Sequence, residues 1–503
     1  MNCSSGESLT STEAQASDKS LVLDALGRAS SEIRNKLGES LSSVQKYATP
    51  VEEATTPSLE ALKAFSMGWN TQMTKDLSAG LPFHQRAIEL DPNFALPYTA
   101  MAGIYWSVGE VGRGAENGRK AYDLRKKVSE RERLWIEGWY YSLATGELNK
   151  AAQTYELWKQ TYPRDSNPPN MLGITYARLG NWEGALQEYR EALRLEPSGY
   201  PHYGNLGHAY TALNRLDEAE AVYKLAEERK LEQKFLSGRY QVAFLRGNAA
   251  QMAQLLTEDG LLEEQANTEG WYGKLKNAHE LTRKAMDSAQ YNDAKESAAA
   301  YQAEAALREV ESGNREKARA EADAASRLAP NRDVKAMAAL ALARAGDTTG
   351  AEKLAAELDK TLPLDTVVQR YWLPTIRAAE ALGRKDPNRA IELLKAASTI
   401  ELSESTNFTV FLCPVYVRGE AYLMLHDGNA AAAEFQKFIN HRGLVVNFPW
   451  GALAHLGLGR AYAMQGDTAK AKAAYQDFLT LWKDADPDIP IFIAAKAEYA
   501  KLQ

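Results

Sequence analysis

The sequence predicts an all-α solenoid of stacked helical pairs, and three observations carry that prediction. Alanine is prominent and β-branched residues are scarce in a chain that is 45% hydrophobic and 25% charged, an ordinary soluble composition biased towards helix. A pattern of small and aromatic residues returns every 34 residues. At 503 residues the chain also exceeds the size at which one core keeps growing, so several domains or a repeat array is expected.

Residues 1–57 differ from the rest. They are rich in Ser, Thr and Glu, and the stretch 4–16, SSGESLTSTEAQA, is a candidate strand with no partner in the chain. An amphipathic helical run follows, with apolar residues at Leu23, Leu26, Ile33 and Leu37. Pro50 and Pro57 mark a linker, and Ser58 is placed to cap a helix with Ala61 at the third position.

From residue 58 onward the repeat takes over, with one array over 58–260 and a second over 261–503. Gly68, Ala87 and Pro92 open it, followed by Ala102 and Ala121. Next come Gly138, Tyr141, Ala151, Tyr155, Trp158 and Pro163. The clearest unit has Gly173, Tyr176, Gly180, Ala185, Tyr189, Ala192 and Pro197, and its successor has Gly207, Tyr210, Asn214, Ala219, Tyr223 and Ala226. Tyr240–Leu256 reads as an irregular pair, and 261–300 is helical but fits the pattern poorly. Ala306, Gly313, Ala318, Ala322, Ala325 and Pro330 restore it, and irregular pairs follow around Leu340–Pro363 and Ala378–Ala397. The last two units carry Gly419, Tyr422, Ala431, Phe435 and Phe438, then Gly459, Tyr462, Gly466, Ala471, Tyr475 and Phe478. Roughly ten to twelve helical pairs are expected.

The spacing has a mechanical reason. Two helices per unit, and neighbouring units, must approach closely, so small residues belong at the crossings and aromatics in the gaps between them. Proline ends the second helix because it cannot continue it. Each unit buries its apolar face only against its neighbours.

Chemistry is hard to find. The net charge of −7, with no basic block, argues against nucleic acid as a partner. The two cysteines, Cys3 and Cys413, make neither a zinc nor a redox spacing. The N-terminus has neither a basic nor an apolar export region, and no stretch is apolar for long enough to span a membrane, so a cytoplasmic chain is expected. The glycine-rich run Gly109–Lys120 lacks the phosphate-loop spacings and falls on a turn and helix. HELTR at His279 has Arg283 where a second zinc ligand would stand. The aspartates from Asp484 imitate a calcium loop, but Ile489 and Ala495 occupy the glycine and glutamate positions. His84, His202, His208, His279, His426, His441 and His455 have no paired ligand spacing, and Asn407 matches a glycosylation sequon only formally. No catalytic residue, cofactor or metal site is expected.

The repeating positions resemble the tetratricopeptide repeat (TPR). That resemblance implies a concave surface, lined by the first helix of each pair, that receives an extended or helical peptide. By register Asn170, Arg178, Asn205, His208 and Arg460 would face it. They do not reproduce the lysine-and-asparagine clamp of TPR domains that hold C-terminal carboxylates.

A narrower resemblance rests on 36–68, on LCPVYVRGEAYL (Leu412–Leu423), on Glu434–Pro490 and on the closing AKAEYAKLQ. These stretches are similar to the C-terminal TPR regions of bacterial, eukaryotic-type serine/threonine protein kinases, and to regions that follow winged-helix domains in membrane-linked activators. In the kinases the order is catalytic domain, membrane helix, small α/β domain and repeats. The resemblance therefore implies that residues 2–16 match the last hairpin of that α/β domain, and that the region lies beyond the membrane in relatives. No kinase motif carries over: there is no ATP loop, no catalytic HRD and no DFG, and the HRG at His441 is near the C-terminus. The expectation is a non-catalytic scaffold or sensor that binds protein or peptide partners in signalling. The alternative is one piece of a kinase or winged-helix regulator.

Overall fold

The computed structural model describes residues 8, 10–38, 55–231, 235–256, 260–406 and 410–502. Asn407, Cys3, Pro50 and residues 4–7 and 9 of the candidate strand lie outside them; residues 8 and 10–16 are described and form no strand. Among the described residues the secondary structure is entirely helical.

After a lone helix α1 (Val22–Lys36), twelve helical pairs follow among the described residues. They begin with α2 (Leu59–Thr74) and α3 (Leu81–Leu90), α4 (Ala95–Ser107) and α5 (Val111–Leu124), and α6 (Glu130–Trp139) and α7 (Leu148–Thr161). The regular core is α8 (Asn167–Arg178) with α9 (Trp182–Leu195), and α10 (Tyr200–Ala212) with α11 (Leu216–Glu227). Then come α12 (Leu236–Leu245) and α13 (Ala249–Leu255), α14 (Leu262–Trp271) and α15 (Leu275–Tyr291), and α16 (Lys295–Ser312) and α17 (Arg315–Leu328). The remainder are α18 (Arg332–Arg344) and α19 (Thr348–Thr361), α20 (Leu373–Gly383) and α21 (Pro387–Leu394), and α22 (Cys413–Met424) and α23 (Gly428–Asn440). After the short α24 (Arg442–Val445), α25 (Trp450–Met464) and α26 (Thr468–Leu481) complete the series, and α27 (Pro490–Ala500) ends it. The expected Ser58 cap is present, its hydroxyl accepting from Ala61 N at 3.2 Å.

The small residues do what the spacing required. A methyl on Gly173 would overlap the Tyr189 ring, one on Gly207 would reach Tyr223 at 2.5 Å, and one on Gly459 would reach Tyr475 at 2.9 Å. Each unit thus seats its second-helix tyrosine on its first-helix glycine. Ala185, Ala192, Ala219 and Ala471 are fully buried at the crossings. Ala185→Leu should overpack one crossing and cost about 1–3 kcal/mol by denaturant titration; an unchanged midpoint would contradict the packing.

The chain divides into two compact units, one of residues 1–106 and 113–144 and the other of 107–112 and 145–503. The poorly fitting middle near residue 261 lies inside the second. The first unit is built on aromatics: Phe65 meets Phe94 at 5.3 Å and His84 at 5.4 Å, and Trp69 meets Trp135 edge-on at 5.5 Å. His84 is buried against Gln72 at 2.8 Å, and burial pulls it down to about 4, so it stays neutral.

The second unit coils on itself. Turns within its early pairs dock on loops that precede first helices 184 to 228 positions later. Thr366 N donates to Gly146 O at 2.9 Å, and Glu404 N to Ala177 O at 3.1 Å. The Trp182 indole donates to Leu402 O at 2.9 Å, and Ser403 Oγ to Arg178 O at 2.6 Å. Asp486 N donates to Gly273 O at 3.0 Å, and Trp482 Nε1 to Trp271 O at 2.9 Å. These bonds satisfy loop amides and carbonyls that no helix ladder serves. Successive superhelical turns of this unit are therefore in direct contact, and α18 between them has a run of fully buried residues from Ala336 to Ala341.

Candidate functional site

The five groove positions separate by exposure. Asn170 and Arg178, on α8, are buried at 5% and 2% exposure. Asn205 and His208, on α10, and Arg460, on α25, are half-buried. Asn170 Oδ1 accepts from Asn205 Nδ2 at 2.9 Å and sits 3.2 Å from His202 Nδ1, so it fixes the two side chains of the next unit.

Arg178 lies in an ionic cluster with Arg332, Asp333, Asp365 and Glu404. Burial, with Arg332 adding to it, lowers its guanidinium to about 10, against the pull of the three carboxylates. Arg332 pairs with Asp333 at 2.6 Å and Asp365 at 3.5 Å, and Asp365 accepts from Val367 N and Val368 N. His208 faces Glu404 at 3.4 Å and meets Trp182 edge-on at 5.3 Å. Burial lowers its imidazole, but Glu404 outweighs that and raises it.

In the later repeats, Arg344 bridges Glu311 and Glu420 and stands 5.2 Å over the Tyr416 ring. Burial pushes Glu311 up to about 7 against Arg344. Arg460 grips Glu498 of α27 through two bonds of 2.9 Å, and Tyr475 Oη donates to the same carboxylate at 2.8 Å. No signal in the repeat pattern points to Glu404, Ser403 or Glu498, because they arrive from a loop one superhelical turn away or from α27. These five positions thus have partners from the same chain, and among them and those partners Asn205, His208, Glu420, Arg460 and Glu498 stay half-exposed.

Beside α7, a 550 Å³ open hollow is lined by Asn149, Gln153, Glu156, Leu157, Gln160 and Tyr176, and it holds no ionisable pair suited to catalysis. Among the described residues no cluster of three His, Cys, Asp or Glu is set to hold a metal ion, and no helix is long and apolar enough to cross a membrane. Burial pushes the Cys413 thiol up to about 12, which leaves it a poor nucleophile.

Glu380 is a buried acid with one carboxylate oxygen unpaired. Burial and then Glu352 raise it to about 7, against Arg384 and Arg377. A carboxyl raised above its unfolded value of 4.5 destabilises the fold increasingly as pH climbs from 4.5 to 7, and fully above that. Glu380→Gln should therefore stabilise the protein by about 1–3 kcal/mol at pH 8 and change little at pH 4.5. Equal effects at both pH values would contradict this.

A family model described as "Tetratricopeptide repeat" matches residues 170–231 and 416–488. Both stretches carry the glycine–tyrosine seats described above, and the second adds a seat of Phe435 on Gly419, where a methyl would come within 2.8 Å of the ring. These stretches are tetratricopeptide repeats. Among solved structures, PilW, titled a widely conserved type IV pilus biogenesis factor, is similar over 41% of this chain and 94% of its own, at 18% identity and a TM-score of 0.29. A tetratricopeptide repeat protein from Parabacteroides merdae ATCC 43184 is similar over 57% of this chain and all of its own, at 16% identity and a TM-score of 0.28. Likenesses this distant bear on neither curvature nor function. No curated protein matches the chain.

Proposed function

We propose that this TPR protein is a scaffold that binds a polypeptide through its first helices, with Asn205, His208 and Arg460 meeting the partner and Asn170 and Arg178 setting them in place. The observation that supports the reading is the half-exposed state of those three side chains on the first helices of matched repeats. Two of them can trade a partner from their own chain for a ligand group, His208 its Glu404 and Arg460 its Glu498. A peptide carboxylate or backbone carbonyl suits such positions.

Fluorescence anisotropy against an array of extended synthetic peptides tests this. Peptides selected by the intact chain should lose about tenfold or more in affinity, roughly 1.4 kcal/mol, when Asn205, His208 and Arg460 are all changed to alanine. Unchanged affinity would discredit the assignment.

The scaffold has no chemistry of its own in this reading, and phosphotransfer by the purified chain would overturn that part. A signalling role rests on the likeness of Leu412–Leu423 and Glu434–Pro490 to the repeat regions of membrane-linked kinases. The gene immediately upstream discriminates: a kinase or winged-helix frame there supports that role, and an unrelated one argues against it.

A further inference from the structure

Two glutamates face each other where α14 meets α16, and one cation stands beside them. Glu263 and Asn267 lie one turn apart on α14, and Glu304 and Arg308 one turn apart on α16, so each pair shares a helix face. Arg308 Nη1 donates to Glu263 Oε1 at 2.9 Å and to Asn267 Oδ1 at 2.6 Å, and Asn267 Nδ2 reaches Glu304 Oε2 at 3.5 Å. Glu263 Oε2 and Glu304 Oε1 are buried and have no hydrogen-bond donor among the described residues. Glu304 is fully buried, and the Glu263 side chain is 11% exposed. Two such carboxylates cannot both stay ionised beside one guanidinium. A proton held between them removes the surplus charge and supplies the missing donor. Burial and then Glu263 accordingly raise the Glu304 carboxyl far above an ordinary glutamate.

The neighbouring helices bring no relief. Tyr301 of α16 feels Glu263, Glu264, Glu304 and Glu110, all of them acids, and Glu264 is held by the Ser237 hydroxyl. From α15 the Thr282 hydroxyl accepts from Arg308 Nη2. The cations of the flanking helices are engaged elsewhere: His279 of α15 and Lys317 of α17 face Glu309, and Arg344 of α18 faces Glu311. Glu321 of α17 is met by Gln302 at 3.0 Å.

The same α14 carries loops of the later repeats. Asn447 Nδ2 donates to Glu264 O at 2.8 Å and to Thr268 Oγ1 at 2.9 Å. At its end Trp482 Nε1 donates to Trp271 O and Asp486 N to Gly273 O. A methyl on Gly270 would lie 2.9 Å from Arg308 Cδ and 3.3 Å from Pro449 Cγ, so α14 runs between α16 and a docked loop with no slack. Movement of α14 away from Glu304 is therefore felt where superhelical turns meet.

We propose that Glu263 and Glu304 form a proton-held clasp, closing α14 on α16 while they share a proton and loosening the superhelical contact at α14 when that proton is lost. Opening lets water reach the pair, and both carboxyls then ionise as ordinary glutamates do. Glu304 is raised above its unfolded value of 4.5, so each pH unit from there up to the folded value makes opening about tenfold easier. The contact is tightest in mild acid and weakens as pH rises.

Hydrogen–deuterium exchange of the Asp486 amide between pH 6 and pH 9, corrected for intrinsic rates, tests this in the full chain. Its protection should fall about tenfold per pH unit. Glu304→Gln, neutral at every pH and equal in volume, should abolish that slope. Glu263→Gln should do the same and serves if the first variant misfolds. An infrared difference spectrum at pH 7, unaltered chain minus Glu304→Gln, should show the C=O stretch of a protonated carboxyl. Protection of the unaltered chain that ignores pH would overturn the proposal. So would an undiminished slope in a folded variant, or a difference spectrum without that band.

Discussion

Gly443→Val is expected to open the contact between superhelical turns of the second unit and to cost stability at the top of the ~1–3 kcal/mol range for overpacking. A Cβ at Gly443 would overlap the carbonyl oxygen of Thr211 and lie 3.2 Å from Asn214 N. Both are backbone atoms at the end of α10, so no side chain can swing aside to make room. The contact cannot shift locally either, because Arg442 Nε donates to Asn214 Oδ1 at 3.1 Å and Asn447 Nδ2 to Glu264 O at 2.8 Å on either side. Gly383→Ala is the control: the nearest atom to an added methyl there is 4.0 Å away, so stability should hold or rise. Thermal unfolding of the two variants checks this, and equal midpoints would contradict the docked arrangement.

Arg308→Met should cost more, about 3–5 kcal/mol, because it strands buried acids. Arg308 is 2% exposed on α16, with Nη1 at 2.9 Å from Glu263 Oε1 and 2.6 Å from Asn267 Oδ1, and Nη2 at 2.5 Å from Thr282 Oγ1. One guanidinium thus ties α14 and α15 to α16. Glu304 is fully buried beside it, and burial followed by the charge of Glu263 holds its carboxyl well above the usual range. Without Arg308, Glu263 loses its counter-ion and its own charge becomes expensive. Adding Glu263→Gln to Arg308→Met should recover part of the loss, since a neutral amide needs no counter-ion. Denaturant titration of both proteins checks the order, and a double variant no more stable than the single would contradict it.

The helical pairs were legible because their period is local. Gly173, Tyr189 and Ala185 lie within one unit, and the glycine–tyrosine seat they form needs nothing from elsewhere in the chain. The groove residues were legible only as helix positions. Arg178 was expected to line the concave surface by register, yet its surroundings include Asp365 and Glu404, contributed by loops about 190 and 230 residues later, which no 34-residue period relates to it. Part of a signal for those contacts does exist in the sequence: Leu148, Trp182, Leu216 and Leu275 are large apolar residues at turns that dock. The repeat pattern leaves that position free, so its meaning appears only when turns one superhelical level apart are compared.

Hydrogen–deuterium exchange of three loop amides tests the coiled second unit most directly. Thr366, Glu404 and Asp486 have no partner in their own helices, and their N–H groups point at the carbonyls of Gly146, Ala177 and Gly273. All three should exchange slowly, at rates close to those of the helices beneath them. Exchange at the speed of open loops would mean that the turns do not touch and that the inward face is a free groove.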